Sequence, residues 1–268
     1  MAKYNDIKMN KWKNYDDLFV DSLWIIDKRD STGVHNSKYH GNFIPQIPNQ
    51  LFRRFTKKGD LILDPFAGSG TSLIEAQRLN RDYLGIELQK KVADNAAKLL
   101  KEEYKTSVKG NIVVGDSATV NIEQELKKLK KKSIQFVIMH PPYWDIIKFS
   151  KNKKDLSNAK TLNSFLAMFE KVCDNVLSYL DKDRYFAVVI GDKYTNSQLV
   201  PLGFYCMNLL LNKGYILKSV IVKNFGETKG KNGTQGIWRY RALAADFYVF
   251  KHEYILLFKK SSKKKQTI

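Results

Sequence analysis

"LILDPFAGSGTSLIEAQRLN", residues 61–80, puts an apolar run, a glycine-rich turn and an amphipathic stretch into one short segment. Leu61, Ile62 and Leu63 suit a buried strand, and Asp64 closes it. Gly68 and Gly70 let the backbone turn tightly and approach a ligand without side-chain obstruction. Beyond the turn, Leu73, Ile74, Ala76 and Leu79 recur at helical spacing and are expected to face inward. The spacing is not GxGxxG, and the turn lacks the Lys with which a P-loop reaches terminal phosphates.

The same alternation continues outward. "RDYLGIEL", "NIVVGDS", "SIQFVIM", "RYFAVVIGD", "ILKSVIVKN" and "HEYILLFKK" read as further strands. "QKKVADNAAKLLKEEY", "LNSFLAMFEKVCDNVLSYL" and "LVPLGFYCMNLLLNKGY" read as helices between them. Before the first strand, a proline-punctuated loop leads into a short helix with Leu51, Phe52 and Phe55 on one face. Parallel strands need crossovers of about a dozen residues or more, so this order predicts an α/β fold, a doubly wound, seven-stranded, mainly parallel sheet with helices on both faces. Ligands are then expected beyond the carboxyl ends of the strands, at the switch point. Residues 1–40 are expected to be an N-terminal extension covering one edge of the core, 41–260 the main domain and 261–268 a basic tail. Two segments, 145–160 and 224–246, interrupt the rhythm and are expected to be loops.

Of 268 residues, 43% are hydrophobic, ample for a buried core. No run of eighteen apolar residues occurs, and "MAKYNDIKMNKWKN" lacks a signal-peptide core and cleavage site, so no membrane association is expected and cytoplasm is the expected compartment. Cys173 and Cys206 have no metal-ligand spacing and are expected to be core thiols; no metal site is predicted. A net charge of +19 makes nucleic acid the leading partner, with a lysine-rich coding bias as the alternative. Some of that charge, in "KKLKKK" (127–132) and "KKSSKKK" (259–265), is equally a solvated helix and tail.

Three successive strands end in a carboxylate: Asp64, then Glu87 23 residues later, then Asp116. A carboxylate in the position of Glu87 can accept hydrogen bonds from both hydroxyls of a ribose. A pyrophosphate would be repelled by this set, whereas S-adenosylmethionine, with its sulfonium, α-amino group, ribose diol and adenine amine, would not. Helix capping explains each carboxylate singly, but the three together less well.

"DPFAGSGTS" followed by "GIEL", "GDS" and then "HPPYW" resembles the DNA amino-methyltransferases, which methylate N6 of adenine or N4 of cytosine. The resemblance runs over roughly residues 40–260 and implies a Rossmann-like class I methyltransferase fold with S-adenosylmethionine as cofactor. It implies a cofactor site at Phe43, Ile44, Asp64, Phe66, Ala67, Gly68, Ser69, Gly70, Thr71, Glu87 and Asp116. It places the reaction at His140, Pro141, Pro142 and Tyr143. An exocyclic amine is a poor nucleophile because its lone pair is delocalised into the ring. In the family a polar side chain and the next proline's carbonyl accept the amine's hydrogens and draw the lone pair back; by position these are His140 and Pro141. Tyr143 would stack on a base rotated out of the duplex. Proton loss follows methyl transfer, so neither a strong general base nor a metal is implied.

Histidine departs from the Asp, Asn or Ser usual at that position, and leaves the target base open, with adenine preferred on family frequency and cytosine second. Only a neutral imidazole has an acceptor nitrogen, so transfer is expected to weaken as pH falls through the pKa of His140, ordinarily about 6.5. Asp192, at the end of "VVIGD", is expected to border the target-base pocket or cap a helix. Double-stranded DNA is the implied partner. Trp144, Lys148, Lys151, Lys153 and Lys154, and later Lys223, Lys229, Lys231, Trp238, Arg239 and Arg241, are the candidate contacts, since phosphate binding and base reading need cations beside the pocket. No separate recognition domain is evident, which favours a short target, a homodimer or a specificity or restriction partner. An RNA or protein nitrogen methyltransferase and an inactive DNA-binding relative are the alternatives.

Overall fold

The computed structural model describes residues 4–36, 39, 41–103, 107–225 and 235–262. Lys229, Lys231 and the tail from 263 onward lie outside the described residues. The strands are β1 (Leu23–Trp24), β2 (Leu61–Asp64), β3 (Asp82–Glu87), β4 (Gly110–Val114), β5 (Ile134–Met139), β6 (Leu180–Ile190), β7 (Lys193–Thr195), β8 (Gln198–Val200), β9 (Ile216–Asn224) and β10 (His252–Lys259). The helices are α1 (Gln46–Phe55), α2 (Thr71–Arg78), α3 (Lys90–Glu102), α4 (Ile122–Leu129), α5 (Leu162–Ser178), α6 (Leu202–Asn212) and α7 (Gln235–Ala244).

The main sheet runs β4-β3-β2-β5-β6-β10-β9-β1. All neighbours are parallel except β10, which is antiparallel to both β6 and β9. From β2 the chain winds outward through β3 and β4, and from β5 it winds the other way, so the switch point lies between β2 and β5. The central strands are buried on both faces, which is why they read as unbroken apolar runs. One face packs against α4, α5 and α6, the other against α1, α2 and α3. Leu51, Phe52 and Phe55 lie buried on the second face, and Cys173 and Cys206 on the first.

The sheet departs from the seven strands expected. An eighth, β1, comes from the N-terminal segment and pairs Leu23–Trp24 with Val222–Lys223 at the sheet edge. Two residues, one buried and one exposed, are too short for period-two alternation to register. The β7-β8 hairpin also has no counterpart in the expected strands; its turn residues Asn196 and Ser197 both take positive φ, the requirement of a tight primed turn.

Helix α2 buries more than its apolar stripe. Ser72, Glu75 and Gln77 are buried alongside Leu73, Ile74 and Ala76. The N-terminal segment and α1 cover its outer face: His35 Nε2 lies 2.7 Å from Glu75 Oε1, and Asn49 of α1 donates to the other carboxylate oxygen at 2.8 Å. The described residues of the two expected loops include regular structure. Within 145–160, Asp155 accepts from Ser157 N and Ser150 Oγ and starts a 3-10 turn with Leu156 buried in the core. In 224–246, α7 occupies Gln235–Ala244, and residues 226–234 lie outside the described residues.

Candidate active site

The glycine turn leaves β2 and the proline corner leaves β5, so the switch point brings together two segments far apart in sequence. Between them lies a cavity of about 920 Å³, within the range of small-molecule sites. Phe43, Ile44, Phe66, Ala67, Gly68, Ser69, Thr71, Glu87 and Asp116 line it, as do His140, Pro141, Pro142 and Tyr143.

Asp64 and Gly70 do not line the cavity; they build its floor. Asp64 Oδ1 accepts the Phe66 amide at 2.9 Å, and Oδ2 accepts the Ser72 hydroxyl, so the carboxylate ties the turn to α2. Burial pushes Asp64 up to about 7, and Glu87 adds to this, against the hydrogen bonds from Ser72 and Phe66. Gly70 sits at φ +82 with Ala96 so close that an added Cβ would lie 3.3 Å from its Cβ. Glu87 reaches the ligand side. Its oxygens accept Gln89 N at 2.8 Å and Gly68 N at 3.0 Å, and each keeps further acceptor capacity. Burial raises its pKa, partly offset by those amides. Asp116 accepts the Ala118 amide at 3.0 Å and has Lys154 Nζ 3.9 Å from its other oxygen. Lys154, expected among the DNA contacts, thus stands over the carboxylate end of the cavity.

Phe43 and Ile44 are brought to the cavity by Arg29, whose guanidinium bonds the carbonyls of Asn42 and Phe43, and by a 2.5 Å bond from Thr71 Oγ1 to Asn42 Oδ1. The Phe43 ring meets the His140 ring edge-on at 4.9 Å. Across it, His140 Nε2 lies 3.0 Å from Tyr143 Oη, which donates to Glu253 Oε2 at 2.7 Å. Glu253 Oε1 forms a buried ion pair with Lys223 at 3.1 Å. Lys223, expected to contact DNA, is instead buried in β9 because its ammonium is drawn to this carboxylate. Gly191, just past β6, leaves space for Tyr143: an added Cβ would come within 2.8 Å of its ring.

Burial lowers the His140 pKa to about 4, with Lys223 acting in the same direction and Glu253 against it. The pH window predicted from the ordinary value therefore moves down. A histidine lowered to about 4 is expected to be neutral at physiological pH, so if His140 accepts the target amine, single-turnover transfer is expected to be flat around neutrality and to fall only as pH drops toward about 4. A fall centred near the ordinary value of about 6.5 would show that His140 is not shielded as the geometry requires.

The nucleic-acid candidates separate. Trp238 of α7 reaches the cavity lining and carries the Arg241 guanidinium 5.4 Å above its ring. Arg239, Lys148, Lys151 and Lys153 are exposed outside the cavity. Trp144 does not line it: at φ +52 its indole donates to the Ala159 carbonyl, and Lys193 covers its ring at 4.1 Å. Asp192 does line it, and also accepts from Gly203 N in the first turn of α6 and from Tyr254 Oη. Sequence reasoning missed Asp155, Tyr39, Gly191 and Glu253, all cavity residues. Gly191 had a signal, a glycine where a strand ends; Glu253 had none.

A mostly parallel α/β sheet with one inverted strand, β10, inserted between β6 and β9, and a cavity at the switch point, defines the class I methyltransferase-like fold. A solved TrmN structure from Thermus thermophilus shares it, with a TM-score of 0.52 and 14% identity over 81% of this chain and 49% of that one. The chain belongs to the DNA methylase family N6_N4_Mtase, whose profile matches residues 2–98 and 134–268. It is 34% identical to the type II methyltransferase M2.DpnII of Streptococcus pneumoniae over 40% of this chain and 42% of that protein. It is 35% identical to M2.LlaDCHI of Lactococcus lactis subsp. cremoris over 37% and 39%. The matches thus span about two fifths of these relatives. No helix among the described residues is long and apolar enough to cross a membrane.

Proposed function

We propose that this protein transfers a methyl group from S-adenosylmethionine to the exocyclic amine of a base in DNA, with adenine N6 the preferred target and cytosine N4 the second. One observation carries the reading: a single cavity joins the carboxylate-lined glycine turn to the His-Pro-Pro-Tyr corner. The residues fit the cofactor, since Glu87 presents acceptors suited to a ribose diol, Asp116 one suited to an adenine amine, and Gly68 offers bare backbone. When bound, the cofactor supplies a methyl group on a cationic sulfur. The chain's own groups then accept the target amine's hydrogens at His140 and the Pro141 carbonyl, while the Tyr143 ring bounds the space for the base. Residues 41–260 form the methyltransferase domain in this reading, with 1–40 completing one edge.

Incubation with labelled cofactor and duplex DNA, followed by nucleoside analysis, tests the reading and identifies the base. Label entering tRNA or protein in place of DNA would overturn the substrate. Duplex binding is assigned to α7 and the exposed cations of 145–160. Arg239→Ala with Arg241→Ala is expected to weaken binding of every duplex sequence and to reduce the salt slope by about one for each phosphate no longer neutralised. An unchanged slope would remove α7 from the interface. A restriction-modification setting and a homodimer or specificity partner are consistent with the type II relatives and belong to this proposal.

A further inference from the structure

Every strand of the parallel set ends at the cavity rim, whereas β10, being antiparallel, begins there. Its second residue, Glu253, is paired directly opposite Lys223 of β9, and both side chains are buried. The inverted strand thereby delivers a carboxylate to the proline corner from the far end of the chain. Glu253 Oε1 is occupied by Lys223 at 3.1 Å and Oε2 by Tyr143 Oη at 2.7 Å.

Counting protons along this line gives one answer. An ionised carboxylate only accepts hydrogen bonds, and a phenol has a single hydrogen. The Tyr143 hydrogen therefore points at Glu253, because two facing acceptors at 2.7 Å would repel. That leaves only lone pairs on the side of Tyr143 Oη that meets His140 Nε2 at 3.0 Å. His140 must donate there, so its hydrogen sits on Nε2. The lone pair of a neutral imidazole is then on Nδ1. Among the described residues nothing bonds Nδ1.

We propose that Glu253, held by Lys223, is a positioning residue that acts through Tyr143 to fix His140 as the Nε2–H tautomer, reserving Nδ1 as acceptor for the target amine. The role of Nδ1 rests on the methyl-transfer reading; the tautomer does not, and can be observed without turnover. Tyr143 on this view has two tasks, its ring bounding the base site and its hydroxyl relaying the orientation. The relay also explains how histidine can stand where Asp, Asn or Ser is usual: an imidazole supplies a usable acceptor only if its own hydrogen is kept on the other nitrogen.

The test uses the full chain with ¹⁵N-labelled histidine. Long-range ¹H–¹⁵N correlation spectra separate the two tautomers, and His140→Asn identifies the signal among the four histidines. Wild type is expected to show Nε2–H at His140. In E253Q the amide can donate to Tyr143 Oη and free the phenol hydrogen to turn toward His140, so population should move to Nδ1–H. Single-turnover methylation should then fall about 10- to 100-fold, by analogy with the scale lost when the partner that orients a metal-ligating histidine is removed. Cofactor and DNA affinities should stay within about twofold, as expected when only transition-state stabilisation is removed. E253D, still an acceptor-only carboxylate, should keep Nε2–H and recover part of the rate. An Nδ1–H ring in wild type would overturn the proposal, and so would a folded E253Q with unaltered tautomer and rate. If E253Q does not fold, because Lys223 is left buried and unpaired, the wild-type tautomer decides alone. Nε2–H in a protein that methylates no nucleic acid would refute the reaction and not the relay.

Discussion

His140→Ala is expected to slow single-turnover methyl transfer by about 10²- to 10³-fold, the scale lost when one preorganised hydrogen-bonding group aimed at a reacting centre is removed. Cofactor affinity should change little. The carboxylate cradle at Glu87 and Asp116 is built from β3, β4 and the glycine turn, and the backbone amides that hold it do not pass through His140. The fold should also survive, because Tyr143 keeps its 2.7 Å bond to Glu253 and Glu253 its ion pair with Lys223. The loss therefore belongs to the reacting centre. Rapid-quench methylation with saturating cofactor and DNA, beside calorimetric cofactor titration, makes the comparison. Equal losses in rate and in cofactor affinity would reduce His140 to a packing partner of Phe43. His140→Asn restores an acceptor of the kind the family carries there and should regain part of the rate.

Glu87→Gln is expected to show the opposite division. The carboxylate receives one backbone amide on each oxygen, from Gln89 and Gly68. An amide side chain can accept only one of these and turns its own N–H groups toward the other, so the turn loses a support as the ligand loses an acceptor. Hydrogen bonds to charged groups are worth about 1.5–3 kcal/mol each, so cofactor affinity should fall on the order of 10²-fold. At saturating cofactor the transfer rate should fall far less, since the proline corner is untouched. Unchanged affinity in calorimetry would detach Glu87 from cofactor binding. Those two outcomes together would divide the cavity into a binding half and a reacting half.

Much of this molecule is legible along the chain. Apolar runs leading to Asp64 and Glu87 mark β2 and β3, because buried parallel strands are apolar along most of their length, whereas β4, ahead of Asp116, is an edge strand exposed at both ends and shows itself only by its short β-branched run. Glycines at 68 and 70 locate the turn, since positive φ is costly for other residues. Other features escape, among them the following. Strand β1 is too short to carry a periodicity, and α7 lies in a segment whose polar, glycine-rich lead-in reads as loop. Asp64 reads as a ligand contact, but its position at the end of β2 cannot distinguish a carboxylate facing the cavity from one folded back on Phe66 and Ser72.

Sequence by itself determined which chemistry the chain carries: the order of strands and helices, the glycine turn, the carboxylates and the His-Pro-Pro-Tyr corner. These depend on local patterns, spanning a few residues each, that hydrophobic periodicity and backbone freedom impose. Only the tertiary structure decided how the corner is tuned. Lys223 looks like a surface cation and Glu253 like an ordinary charged residue at a strand start. The inversion of β10 places them opposite each other and carries them to Tyr143 and His140, more distant in the chain than any local pattern reaches. Burial there moves the histidine's pKa to about 4 and the hydrogen-bond line selects its tautomer. Both effects arise from neighbours in space, which no pattern along the chain can specify.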